Sequence, residues 1–295
     1  MHSSSINLQG DEEQEALYDF SHKYLEKATE QHKGVIETAW QHHLHSGGSR
    51  LRAKISLCLG KKADINPATN YPLAATVEVL HQASLLLDDL QEGDLYRRGK
   101  TSVWNEFGEA TAINLALALI AKSYLYINEI EDTYHPLTML LQKHISETIS
   151  KTVAGQQEDL QGVERNISYP EYEQVAREKS GPLFALPFKL IMTLLNENTY
   201  HMKKCDDIAS IFGVAYQLAD DLNDRKQKKS SLNGIGVLLK NNCSEAVAKE
   251  RALEVVRQTI LDGKELFKDL PTYTKPAFLI FQSHLTHLVE RKKHV

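Results

Sequence analysis

The 295-residue sequence predicts an all-α protein organised as one helical domain, and three observations carry that reading. Apolar residues recur at helical spacing along most of the chain, strand signals are weak throughout, and no repeat or low-complexity linker divides it. The pair Asn233-Gly234 could turn a hairpin, but it lies in a polar stretch without alternating apolar flanks. Hydrophobic residues make up 42% and charged residues 25% of the chain, as in ordinary globular proteins, and this length buries a sizeable core without disulfides.

A polar tail over residues 1–10 is expected to precede a helical domain over 11–295. Helices are expected at about 11–31, 34–45, 48–60, 73–92, 109–130, 135–162, 170–195, 203–226, 243–263 and 275–292. Turn-forming clusters separate them, among them Asn66-Pro67-Ala68-Thr69-Asn70 and Asp269-Leu270-Pro271. The helix at 170–195 holds Gly181-Pro182 and Pro187. Proline inside a helix removes a donor and clashes with the preceding turn, so a break or kink is expected near Ser180–Pro182, or else two shorter helices.

The formal net charge of −5 argues against a general nucleic-acid binder, which needs a basic footprint. Cys58, Cys205 and Cys243 are scattered without a CxxC spacing, which fits a reducing compartment and offers no zinc motif. The N-terminal residues lack the basic-then-apolar plan of a signal peptide, and no apolar run reaches the roughly 20 residues of a membrane span. A cytoplasmic protein without a transmembrane segment is the expectation.

Two acidic clusters stand out: Leu87-Asp88-Asp89-Leu90-Gln91-Glu92 and Ala219-Asp220-Asp221-Leu222-Asn223-Asp224. On a helix Asp88 stacks with Glu92 and Asp220 with Asp224, and like charges at that spacing repel unless a cation lies between them. Hard oxygen ligands of this kind suit Mg²⁺, which takes one or two carboxylates plus water and phosphate oxygens. Apolar runs precede both clusters, Ala83 to Leu87 and Ile211 to Tyr216. The carboxylates are therefore expected at a cavity wall, where unpaired charge is costly. Chance supplies on the order of 0.04 DDxxD motifs in a chain of this length, and a second copy with Glu at the last position, Asp88 to Glu92, strengthens the signal against the bland reading, helix-end acids on a solvated face. Asp11-Glu12-Glu13, in a wholly polar stretch, carries no such expectation.

Basic groups answer the acids. Tyr96-Arg97-Arg98-Gly99-Lys100 follows the first cluster, and arginine offers phosphate a planar fork. Gly47-Gly48-Ser49-Arg50-Leu51-Arg52 opens a helix, where glycines permit close backbone approach and the N-terminus favours anions. His81 lies two turns before Asp88 and Gln217 three residues before Asp220, so both reach the same space. Lys226, Lys228 and Lys229 follow the second cluster, and at least two of these three are expected to be merely solvated.

Taken in order, these segments resemble the trans-isoprenyl diphosphate synthases, the polyprenyl synthetase family. Besides the segments above, the match includes His81 to Asp89, Phe107-Gly108-Glu109-Ala110, Gly155-Gln156-Gln157-Glu158-Asp159-Leu160, Glu178-Lys179-Ser180-Gly181 and Tyr216 to Asp224. The resemblance implies a single bundle of antiparallel helices around a central deep cavity, usually as a homodimer, with the two clusters facing each other. It implies up to three Mg²⁺ ions, held by Asp88 and Glu92 and by Asp220, with Asp89, Asp221 and Asp224 in support. Arg97, Lys179 with Ser180, and Gln217 would hold an allylic diphosphate. Arg52, His81 and Arg98, with Arg50 nearby, would hold isopentenyl diphosphate. Lys226 would be a further substrate contact.

The reaction implied is head-to-tail prenyl transfer, and Asp88, Asp89, Arg97, Lys179, Gln217 and Asp220 would carry it. Ser49 stands where the family usually has Lys, Glu92 where it has Asp, and Ser180 where it has Thr. The stretch Arg225 to Gly234 replaces the customary Gly-Lys-Asp loop. These departures admit a relative that prenylates another acceptor, such as a peptide or small aromatic. A terpene cyclase fits less well, because the second cluster lacks the Asn/Ser/Glu triad. A non-catalytic regulatory subunit also fits less well, because such subunits lose the carboxylates kept here. Ala83 and Ser84, five and four residues before Asp88, are small, and the expected product is therefore geranylgeranyl rather than farnesyl diphosphate.

Overall fold

The computed structural model describes residues 17–165, 167–223, 231–239 and 244–290. They fall into two compact units, the described parts of Met1–Lys54 with Pro67–Glu131, and of Ile55–Asn66 with Asp132–Val295.

The first unit holds a π-helical turn (Ser21–Leu25), α1 (Val35–Leu44), the first turn of α2 (Leu51–Lys62) and α3 (Pro67–Glu92). A hairpin of β1 (Tyr96–Arg97) and β2 (Lys100–Thr101), then α4 (Val103–Phe107) and α5 (Glu109–Ile127), complete it. Pro67 opens α3, a position where its missing N–H costs nothing. Pro72 lies inside α3, yet the buried run Leu73, Ala74, Ala75, Val77, Val79 and Leu80 holds the helix together. The Thr76 hydroxyl donates to the Ser123 carbonyl at 3.0 Å, tying α3 to α5. Trp40 is wholly buried and donates its indole N–H to Leu25 O at 2.7 Å.

By length and composition α5 is apolar enough to cross a bilayer. One face of it packs on α3, with Ala112, Leu115, Ala116 and Leu119 at zero exposure, while Ile113, Leu117 and Leu125 on the other side stay exposed.

The second unit contains α6 (Thr138–Gly162), α7 (Tyr169–Leu194), α8 (Thr199–Asn223), α9 (Gly234–Leu239), α10 (Glu245–Leu266) and α11 (Lys275–Glu290). At the start of α7 the Glu171 carboxylate accepts the Ser168 N–H at 2.7 Å, half of a capping box. The expected break near Pro182 does not occur, and α7 runs unbroken through Pro182 and Pro187. Almost every residue from Ser180 to Leu194 is buried between α6 and α8, and that burial outweighs the lost helical hydrogen bonds. Phe184, Phe188, Phe212, Phe267, Phe278 and Phe281 form an aromatic core joining α7, α8, α10 and α11.

Glycines allow helix backbones to approach near Lys179. A Cβ on Gly155 of α6 would lie 2.7 Å from Lys179 Cα, and one on Gly213 of α8 would lie 2.9 Å from Gly181 N. Among the described residues α4, α9 and the hairpin were not anticipated, being too short for a periodic signal.

Candidate active site

The first acidic cluster forms the last turn of α3. Asp88 is half-buried, while Asp89 and Glu92 are buried. Arg97 on β1 grips Asp89: its Nε lies 2.7 Å from both carboxylate oxygens and Nη2 lies 2.5 Å from Oδ1. Burial works against the charge of Arg97, but this pairing raises its pKa overall. The hairpin turn sets the geometry, because Arg98 and Gly99 both have positive φ (53° and 81°), as a two-residue primed turn requires. Arg98 donates to Gly47 O and lies against Gly48, where a Cβ would come within 2.6 Å of its Cζ. The space beside Gly48, expected to admit a ligand, accommodates the Arg98 guanidinium.

Arg52 and His81 also meet, with Arg52 Nη1 donating to His81 Nε2 at 3.1 Å. Burial, then the cations Arg52, Arg98, Arg97 and Arg50, hold the His81 pKa well below the usual histidine range. A neutral ring accepting at Nε2 carries its proton on Nδ1, so His81 orients Arg52. His43 is likewise neutral, its pKa pushed down to about 3 by burial and by Arg97.

Both histidines bind a proton in the unfolded chain before they do so in the fold. Stability is therefore complete above about pH 6.5 and falls by about 1.4 kcal/mol per pH unit for each such group as pH drops toward its folded pKa. Urea unfolding at pH 7, 6 and 5 should show this slope. His43→Gln should flatten it by about one proton. Equal slopes in the two proteins would remove His43 from the account.

The second unit holds the other predicted residues. Lys179 Nζ donates to Asp159 Oδ2 at 2.7 Å, and Gln217 Nε2 donates to Ser180 Oγ at 2.8 Å. Asp220 is exposed at the end of α8. Asp221 braces the local structure, since its Oδ2 accepts the Tyr172 hydroxyl at 2.9 Å and the Gly234 N–H at 2.7 Å. Burial, then the Asp221 charge, raise the Tyr172 pKa well above normal. Asp224 and Lys226 lie outside the described residues.

Asp159, Glu78, Gln82 and His43 went unassigned from sequence, because their partners lie far away along the chain or inside apolar runs. A cleft of about 730 Å³ among α6, α7 and α8 is lined by Lys151, Arg177, Lys189 and Asp206, and not by Lys179, Gln217 or Asp220.

Among the described residues no three His, Cys, Asp or Glu side chains converge tightly enough to hold a metal unaided. The donors at the end of α3, Asp88 and Glu92, are hard carboxylate oxygens, the type that Mg²⁺ takes beside water and phosphate.

The family model described as polyprenyl synthetase matches residues 33–252. The chain belongs to this family. It is 28% identical over 221 residues to farnesyl diphosphate synthase of Geobacillus stearothermophilus, covering 72% of this chain and 73% of that one. It is 26% identical over 264 residues to farnesyl diphosphate synthase of Micrococcus luteus, covering 88% and 90%. Among solved structures, geranylgeranyl pyrophosphate synthetase from the archaeon Geoglobus acetivorans superposes with a TM-score of 0.77 at 20% identity, covering 92% of this chain and 99% of that one. This polyprenyl synthetase is thus a trans-prenyltransferase with the isoprenoid synthase fold.

Proposed function

We propose that this polyprenyl synthetase condenses an allylic diphosphate with isopentenyl diphosphate head to tail, using Mg²⁺, and releases a twenty-carbon prenyl diphosphate. The observation that carries the reading is a pair of acidic clusters, each ending a long helix, the first of them held by Arg97 through Asp89.

Asp88 and Glu92 on α3 and Asp220 on α8, with Asp224, would hold the metal ions, which neutralise charge on the departing diphosphate. Arg97, Lys179 and Gln217 bind the allylic diphosphate and stabilise the charge that builds as its C1–O bond breaks. Arg52, steadied by His81, and Arg98 bind isopentenyl diphosphate so that its terminal carbon meets C1. The new C–C bond takes the electrons of the double bond, and the resulting cation loses a proton to the released diphosphate. No protein general base is required.

Ala83 and Ser84 support the twenty-carbon product, since neither would obstruct a growing chain. An exposed apolar stripe on α5, with Ile113, Leu117 and Leu125, supports a homodimer. The reduced thiols of Cys58 and Cys205 support a reducing, cytoplasmic setting.

The test is purified protein with Mg²⁺, isopentenyl diphosphate and allylic diphosphates of increasing length, with products read by mass. Geranylgeranyl diphosphate is expected, and Ala83→Phe or Ser84→Phe should shorten it by one isoprene unit. An unchanged product in both variants would remove the chain-length argument. Turnover only with a peptide or aromatic acceptor would replace isopentenyl diphosphate as co-substrate.

A further inference from the structure

We infer that Glu78 is a positioning residue that clasps the Gly47–Arg52 segment and aims Arg52 at isopentenyl diphosphate. The inference rests on the functional reading above. Glu78 lies mid-helix in the apolar run Val77-Glu78-Val79-Leu80 and has zero exposure. A carboxylate is seldom buried so completely without partners, and these partners converge on a single segment.

Arg50 Nη1 donates to Glu78 Oε1 at 3.4 Å, and the Ala53 N–H donates to Oε2 at 3.3 Å. One carboxylate thus grips the chain on both sides of Arg52. Gln82, a turn further along α3, donates to Glu78 Oε1 at 2.6 Å and accepts from His43 Nε2 at 2.9 Å, which anchors the carboxylate to α1. Arg50 has φ of +51°, a left-handed conformation that L-residues adopt only when held, and its Nη2 is committed to Leu44 O at 2.9 Å. Arg50 therefore acts as a strut, and Arg52 is the arm presented to substrate. His81 meets that arm from the same helix, three residues after Glu78. None of the three bonds to Glu78 involves a proposed metal ligand.

The distinguishing experiment is steady-state kinetics of Glu78→Gln with both substrates varied. The KM for isopentenyl diphosphate should rise by about tenfold, while kcat and the allylic KM stay within about twofold. Gln82→Met removes the amide that anchors the Glu78 carboxylate and leaves the backbone around Arg52 untouched, and should raise the same KM by about threefold. This second variant keeps the test alive if Glu78→Gln fails to fold. Equal rises in both KM values, or a lowered melting temperature with unchanged kinetics, would overturn the positioning role. Amide hydrogen exchange over residues 46–54 should quicken in Glu78→Gln whatever the enzyme's acceptor, and unchanged exchange would overturn the clasp itself. A wild-type enzyme inactive with isopentenyl diphosphate would instead overturn the functional reading and leave the exchange result standing.

Discussion

Asp88→Ala and Asp220→Ala should each lower kcat for prenyl transfer by about 10³-fold, some 4 kcal/mol of transition-state stabilisation, with little change in stability. The sign follows from placement. Asp88 is half-buried and Asp220 exposed, and each belongs to a helical run of like charges, so truncation relieves repulsion within the fold. Their neighbours should behave differently. Asp89 is buried against Arg97, and Asp89→Ala leaves that guanidinium without its bidentate partner, a loss of about 3 kcal/mol or more in folding. Asp221→Ala releases the Tyr172 hydroxyl and the Gly234 amide together. Kinetics and urea unfolding on the four variants separate chemistry from architecture. An Asp220→Ala enzyme retaining a tenth of wild-type activity would defeat the catalytic assignment.

Gly155→Ala should be the most destabilising single methyl in the second unit. A helix-interior glycine facing open space gains about 0.5–1 kcal/mol on conversion to alanine. Here the new methyl would meet the backbone at Glu178–Lys179, which cannot rotate away as a side chain could. Overpacking of this kind costs roughly 3 kcal/mol, so the net sign reverses. The same shift would pull Lys179 from Asp159, now 2.7 Å apart, so activity should fall along with thermal stability. A melting temperature at or above wild type would mean that α6 and α7 do not approach as described.

The long helices were legible because burial writes itself into spacing: the apolar runs before Asp88 and Asp220 mark core helices, and the clusters appear where those runs end. The basic groups were legible in kind but not in posture. Arg52 and His81 could be placed near a diphosphate, yet nothing local says that one donates to the other. The Asp159–Lys179 pair spans 20 residues and two helices, beyond the reach of any short pattern. The continuity of α7 through Pro182 was illegible for a different reason: proline states its local cost, whereas the compensating burial is tertiary. Glu78 had a readable sign in its lone charge among valines, but its function depends on the chain it grips 25 residues earlier.

The Asp221 carboxylate, bonded to Tyr172 and to the amide of Gly234, joins the end of α8 to the start of α9. Tyr172 belongs to α7, so one carboxylate fastens three helices together a single residue after Asp220, and Asp220 inherits the rigidity of all three.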